Sequence, residues 1–140
     1  MSLKLQTQPY ATISKEFDFD SAHRLPNVPA GHKCGRMHGH TYRVQLQFGA
    51  YFDPAVGWFM DYADIANAWE PIGKTLDHHT LNDIPGLENP TTEVLVHWIL
   101  KEFARNNMGK PIWAMLRNVR VFESATTFCE AGPHNMAGTP

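Results

Sequence analysis

Ala11, Ile13, Phe17 and Phe19 alternate with Thr12, Ser14, Glu16 and Asp18, the period of two that a strand with one buried face requires, and only Lys15 breaks the pattern. A cleaner alternation sets Tyr42, Val44, Leu46, Phe48 and Ala50 against Arg43, Gln45, Gln47 and Gly49, predicting a second strand. Between them, residues 25–39 hold two prolines, three glycines and the basic side chains His32, Lys33, Arg36 and His38, which suits a loop. Asp53, Pro54 and Gly57 mark a turn before a short apolar segment, Trp58 to Met60. Asp61 can cap a helix whose inner face carries Tyr62, Ile65, Ala66 and Trp69, and which Pro71 should kink or divide. After a second loop over residues 76–88, Thr91 or Thr92 can cap another helix with Leu95, Trp98, Ile99 and Phe103 turned inward, ending across residues 106–111. Two last extended segments are expected within residues 112–129, with Val119, Val121 and Glu123 on one face, and residues 131–140 read as a loose tail.

The order strand, strand, helix, helix, strand, strand predicts an α+β fold, an antiparallel sheet with helices on one face. The 140 residues fit a single domain (1–140) with its core at about 10–129. A small sheet of this type leaves edges, and pairing them between subunits is one way to protect them. With 12 basic and 14 acidic side chains the net charge is −2, so overall charge gives no attraction to nucleic acid or an anionic membrane. No apolar run approaches the ~20 residues of a membrane span and residues 1–8 lack the apolar region of an export signal, so the expected location is cytoplasmic. Cys34 and Cys129 are expected as free thiols.

Histidine changes the picture, because four of the eight (His23, His32, His38, His40) fall within eighteen residues. His38 and His40 share one face at the start of the second strand, and His23 lies just past the first strand in parity with Phe17 and Phe19. Three imidazoles without an obligatory fourth ligand describe a zinc site with an open position, although iron or another divalent ion shares the same ligand chemistry. Cys34, four residues before His38, has two competing roles. It can close a Cys-His-His-His structural site, or stay free as an acid/base or nucleophile beside Lys33, Arg36 and the metal, and a domain with its own core has little need of a structural zinc. Asp77-His78 pairs a carboxylate with an imidazole, either as a proton-transfer pair or as a helix end with solvated histidines. Glu123 is either half of a cross-strand ion pair or an anion kept for a ligand, and Glu93 is explained by the helix dipole.

The string Cys34-x-x-x-His38-Gly39-His40, with Ala22-His23-Arg24-Leu25-Pro26 before it and Leu76-Asp77-His78-His79 and Glu88-Asn89-Pro90-Thr91-Thr92-Glu93 after it, resembles the 6-pyruvoyl-tetrahydropterin synthase family from about Phe17 to Glu123. The three-residue gap after Cys34 is similar to that of the family's bacterial branch, the 6-carboxytetrahydropterin synthases of queuosine biosynthesis. That resemblance implies a T-fold, with a four-stranded antiparallel sheet, two helices on one face, and trimers stacked as a homohexamer with active sites between subunits. It further implies that His23, His38 and His40 hold zinc, that Cys34, Asp77 and His78 are catalytic, and that Glu123 anchors a pterin while Thr92 and Glu93 line its pocket. The implied reaction takes 7,8-dihydroneopterin triphosphate to 6-carboxytetrahydropterin, acetaldehyde and triphosphate, or, on the sister branch, stops at a pyruvoyl product. Lys33, Arg36 and Arg24 are candidates for the triphosphate and are equally explained as solvated loop charges.

Overall fold

The computed structural model describes residues 7–137. Both alternating segments are strands, and each is longer than its hydrophobic pattern. Strand β1 is Tyr10–His23 and β2 is His38–Tyr51, paired antiparallel in unbroken register from Tyr10 opposite Tyr51 to His23 opposite His38. The histidine ends belong to the ladder: His38 and His40 open β2 as their spacing required, and His23, expected just past the first strand, is its last residue. Lys15 keeps the parity of the buried face by laying its stem inward, with its ammonium 5.7 Å from the centre of the Phe17 ring.

Helix α1 is Tyr62–Leu76, capped by the Asp61 carboxylate on the Ala63 N–H, and α2 is Thr92–Asn107, capped by the Thr91 hydroxyl on the Val94 N–H. Pro71 does not divide α1: the helix is continuous and the proline sits on its exposed side. Ile65, Trp69, Ile72 and Leu76 of α1, with Leu95, Ile99, Leu100 and Phe103 of α2, cover the sheet face made by Phe19, Tyr42, Val44, Leu46 and Phe48. Leu81, Ile84 and Leu87 also enter this core from the stretch read as a plain loop, where three apolar residues three apart wind through a 3-10 turn. Trp98, expected inward, is only half-buried and donates its indole N–H to the Pro85 carbonyl at 3.1 Å.

Three expectations are corrected. The sheet is not four-stranded and antiparallel; it has five strands and is mixed, in the order β3-β1-β2-β4-β5, where β3 is His79–Thr80, β4 is Leu116–Phe122 and β5 is Phe128–Ala131. Two-residue β3 runs parallel to β1, because the chain leaves α1 alongside that edge, and two residues are too few to show a period. Residues 112–115, expected to be extended, instead form with Pro111 a short third helix α3 (Pro111–Met115), with proline in the first turn where its missing N–H is harmless. The tail is anchored through Met136: Ala131 and Gly132 are buried, Pro133–Asn135 forms a 3-10 turn, and Met136 packs on the core. The sheet face away from the helices is polar, carrying the pairs Gln45–Glu16 and Arg120–Glu130.

Candidate metal centre and flanking clefts

The β1–β2 register explains the centre. His23 faces His38 across the ladder, His40 is two residues along β2, and all three share the parity of Phe19 and Tyr42 on the helix-covered face. Their ring centres lie 4.6–5.0 Å apart, and one nitrogen from each falls within 4.8 Å of the other two.

Hydrogen bonds on the far sides of the rings fix what the near sides offer. His23 Nδ1 lies 2.9 Å from the Pro90 carbonyl and His38 Nδ1 lies 2.7 Å from the Arg36 carbonyl. A carbonyl only accepts, so both Nδ1 atoms carry hydrogen and both Nε2 atoms present bare lone pairs. Those two Nε2 atoms are 3.1 Å apart, a mutual repulsion that a cation between them would turn into attraction. His40 Nε2 is buried and has no hydrogen-bond partner among the described residues; the Glu123 carboxylate is 3.2 Å away but not aligned for a bond. Burial holds the His23 and His40 imidazoles below their ordinary pKa, the neutral form a metal requires. The Tyr42 hydroxyl, 3.2 Å from His23 Nδ1, is itself pushed well above the usual phenol range by burial. Donor type, orientation and the orphaned nitrogen all fit a divalent ion such as zinc.

Cys34 sits on a 3-10 turn, Lys33–Gly35, that is pinned by Leu25 N–H on the Cys34 carbonyl (2.8 Å) and by Cys34 N–H on His32 Nδ1 (3.0 Å). Its sulfur does not join the three-histidine ligand set. Instead Cys34, Lys33, His38, His40 and Glu123 line one cleft of about 390 Å³. Thus a thiol, a carboxylate and the exposed edge of the metal set share one space.

Asp77 and His78 form the expected pair, elsewhere. Asp77 ends α1, its Oδ2 lies 2.9 Å from His78 Nδ1, and its Oδ1 accepts the Asp20 N–H at 2.9 Å. That backbone bond, then His78, holds the Asp77 carboxyl below its ordinary pKa, while the bond to Asp77 raises His78. His78 adopts a left-handed backbone (φ 56°) secured by its N–H on the Asp20 carbonyl at 2.6 Å. It lines a different cleft, about 590 Å³, with Asp20, Thr41 and His79; this cleft shares His40, but not Cys34, with the first. Thr92 and Glu93 stand apart as well: the Thr92 hydroxyl donates to Glu93 at 3.0 Å, and Glu93 lines a cleft along α2 with His97 and Lys101. Sequence reasoning missed Tyr42, Asp20 and the Pro90 and Arg36 carbonyls. Parity with His40 was the one available signal for Tyr42, and nothing in a side-chain pattern marks a carbonyl.

Residues 12–134 match the family model described as 6-pyruvoyl tetrahydropterin synthase. The chain is 35% identical to the 6-carboxy-5,6,7,8-tetrahydropterin synthase of Synechocystis sp., covering 82% of this chain and 88% of that protein. It is 30% identical to the Haemophilus influenzae protein of the same name, covering 84% and 96%. The Caenorhabditis elegans 6-pyruvoyl tetrahydropterin synthase structure shares the fold, with a TM-score of 0.78 at 22% identity over 89% of this chain and 96% of that one. With the match spanning nearly the whole chain and the fold shared, the chain belongs to the 6-pyruvoyl tetrahydropterin synthase family of enzymes.

Proposed function

We propose that this enzyme is a lyase converting 7,8-dihydroneopterin triphosphate and water to 6-carboxy-5,6,7,8-tetrahydropterin, acetaldehyde and triphosphate, in the queuosine (7-deazaguanine) pathway of the cytoplasm. The observation that carries the reading is the shared cleft of Cys34, His38, His40 and Glu123, beside three imidazole nitrogens that have a metal's ligand geometry and no hydrogen-bond donor between them. The relatives named 6-carboxy-5,6,7,8-tetrahydropterin synthase support the same product.

Zinc, held by His23, His38 and His40, would supply Lewis acidity that polarises the hydroxyls of the substrate side chain. Glu123 accepts two hydrogen bonds from the aminopyrimidine edge and so orients the pterin. Cys34, fixed by its pinned turn, takes or returns a proton at the side-chain carbons. Asp77 holds His78 in one orientation for a second proton transfer. His78 and Cys34 line different clefts of one chain, which supports their joint action coming from neighbouring subunits of a homohexamer built as a dimer of trimers. Thr92 and Glu93 would reach a pterin pocket by the same route. No described helix is long and apolar enough to cross a membrane.

The test is incubation of the zinc-loaded protein with 7,8-dihydroneopterin triphosphate, followed by mass spectrometry of pterin and acetaldehyde. Carboxytetrahydropterin with acetaldehyde is the expected result. A pyruvoyl product would move the enzyme to the sister branch, and unreacted substrate would overturn the assignment.

A further inference from the structure

Six arginines occur in the chain, and four of the guanidinium groups are engaged. Arg43 lies 4.0 Å from Glu16 and over the Phe122 ring, Arg105 bonds Glu102 at 2.5 Å, Arg117 bonds the Tyr10 hydroxyl at 2.9 Å, and Arg120 bonds Glu130 at 2.8 Å. The two with no side-chain partner among the described residues, Arg24 and Arg36, line the same cleft of about 330 Å³, together with His32 and Gly31. No carboxylate lines it, and no Asp or Glu occurs anywhere between Asp20 and Asp53. Two arginines lining one concavity with no acidic partner give it a net positive charge, which a bound anion would neutralise.

The cleft is held in shape by its backbone. Asn82 clamps Arg24 from both sides, accepting its N–H at 3.0 Å and donating to its carbonyl at 2.8 Å. Arg36 N–H bonds the Lys33 carbonyl at 3.2 Å, and His32 N–H bonds the Pro29 carbonyl at 3.0 Å. Since Cys34 N–H donates to His32 Nδ1, that nitrogen holds the lone pair and Nε2 carries the hydrogen, giving a neutral third donor.

The Lys33–Gly35 turn is the wall between this cleft and the one containing Cys34, His38, His40 and Glu123. We infer that the cleft of Arg24, His32 and Arg36 binds the phosphate chain of the substrate, a linear polyphosphate ester, an inference that rests on the pterin triphosphate reading above. Glu123 then takes the heterocycle, the metal ligands and Cys34 face the carbons between, and the arginines take the far end. Arginine suits this position because its planar fork engages two phosphate oxygens at once. Lys33, on the other side of the wall, belongs to the reacting cleft.

The experiment titrates inorganic tripolyphosphate into the metal-loaded protein at low ionic strength by calorimetry, for wild type, Arg24→Gln, Arg36→Gln and, as a control, Arg105→Gln. Metal content is checked before and after, so that any affinity of the anion for the metal is common to all four proteins. Each cleft variant should bind at least about tenfold more weakly, the scale of a lost charge-assisted hydrogen bond, with unchanged metal content and circular dichroism; Arg105→Gln should match wild type. In turnover assays the same two variants should raise KM for the triphosphate substrate more than they lower kcat. Unchanged tripolyphosphate binding and unchanged KM in both cleft variants would overturn the inference while leaving the reaction in place. Loss of tripolyphosphate binding in those variants, in a protein whose wild type turns over no pterin, would instead keep the anion cleft and remove the proposed reaction.

Discussion

Cys34→Ala separates a catalytic thiol from a metal-ligating one. The sulfur lies outside the three-histidine ligand set yet lines the same cleft as His38 and His40, so removing it should leave the metal in place and abolish turnover. The thiol is half-buried and sits on a turn held by backbone bonds, so its loss should change folding stability by less than about 1 kcal/mol. Zinc at about one hundred times its dissociation constant stabilises the folded chain by about 2.7 kcal/mol, which in a protein of this size raises the melting temperature by roughly 5–12 °C. Thermal melts with and without zinc, and metal analysis after dialysis against a competing chelator, should therefore give the same shift and stoichiometry for Cys34→Ala as for wild type. His38→Ala, which removes one of the three proposed ligands, should lose both. Had the sulfur been a ligand, a loss of about a thousandfold in affinity would correspond to about 4 kcal/mol and erase the zinc-dependent shift. Metal-free Cys34→Ala protein would refute the reasoning.

Glu123→Gln should raise KM for the pterin substrate with a smaller change in kcat, and unaltered steady-state kinetics would remove its anchoring role. The Asp77–His78 pair gives a pH signature with a defined sign. Its carboxyl pKa is lowered, so that contribution is present above about pH 4 and lost as pH falls through the folded value; the imidazole pKa is raised, so that contribution is present below about pH 6.5 and lost as pH rises through the folded value. NMR titration of His78 in Asp77→Asn should show its midpoint falling toward the ordinary histidine value, and an unmoved midpoint would dissolve the pair. Phe48→Ala, removing a fully buried ring that contacts Phe103, should cost about 3–5 kcal/mol in denaturant melts, and a loss below about 1 kcal/mol would contradict its place in the core. Gly132→Ala would drive a Cβ into the Arg117 carbonyl and the His134 ring, so it should lower stability by about 1–3 kcal/mol if the tail is anchored as described, and a neutral melt would contradict that anchoring.

Local rules carried far in this chain. Alternation identified β1 and β2, because one buried face imposes a period of two, and the capping oxygens of Asp61 and Thr91 located both long helices. The same parity assigns His23, His38 and His40 to one face from residue spacing alone, and the unbroken β1–β2 register delivers them to one point. Elements whose form depends on distant partners were not legible. Two-residue β3 exists only because β1 offers an open edge, Leu81 and Leu87 are core only because the helices leave room beneath them, and Pro111 starts a helix where extended chain was expected. The site shows the same division. Residue type and spacing named the three-histidine cluster, Cys34 and Glu123 as candidates, but the Pro90 and Arg36 carbonyls that turn two imidazoles inward belong to backbone far from them or bent back on them. Separation of Asp77-His78 from Cys34 into different clefts, and the gathering of Arg24 and Arg36 without an acidic partner, also required the folded chain. Sequence by itself determined which reactive side chains the chain carries and on which face of a strand or helix they fall, since side-chain identity and short-range periodicity are local. Tertiary structure decided which of those groups meet, because register, edge pairing and unpaired charge are properties of segments brought together from far along the chain.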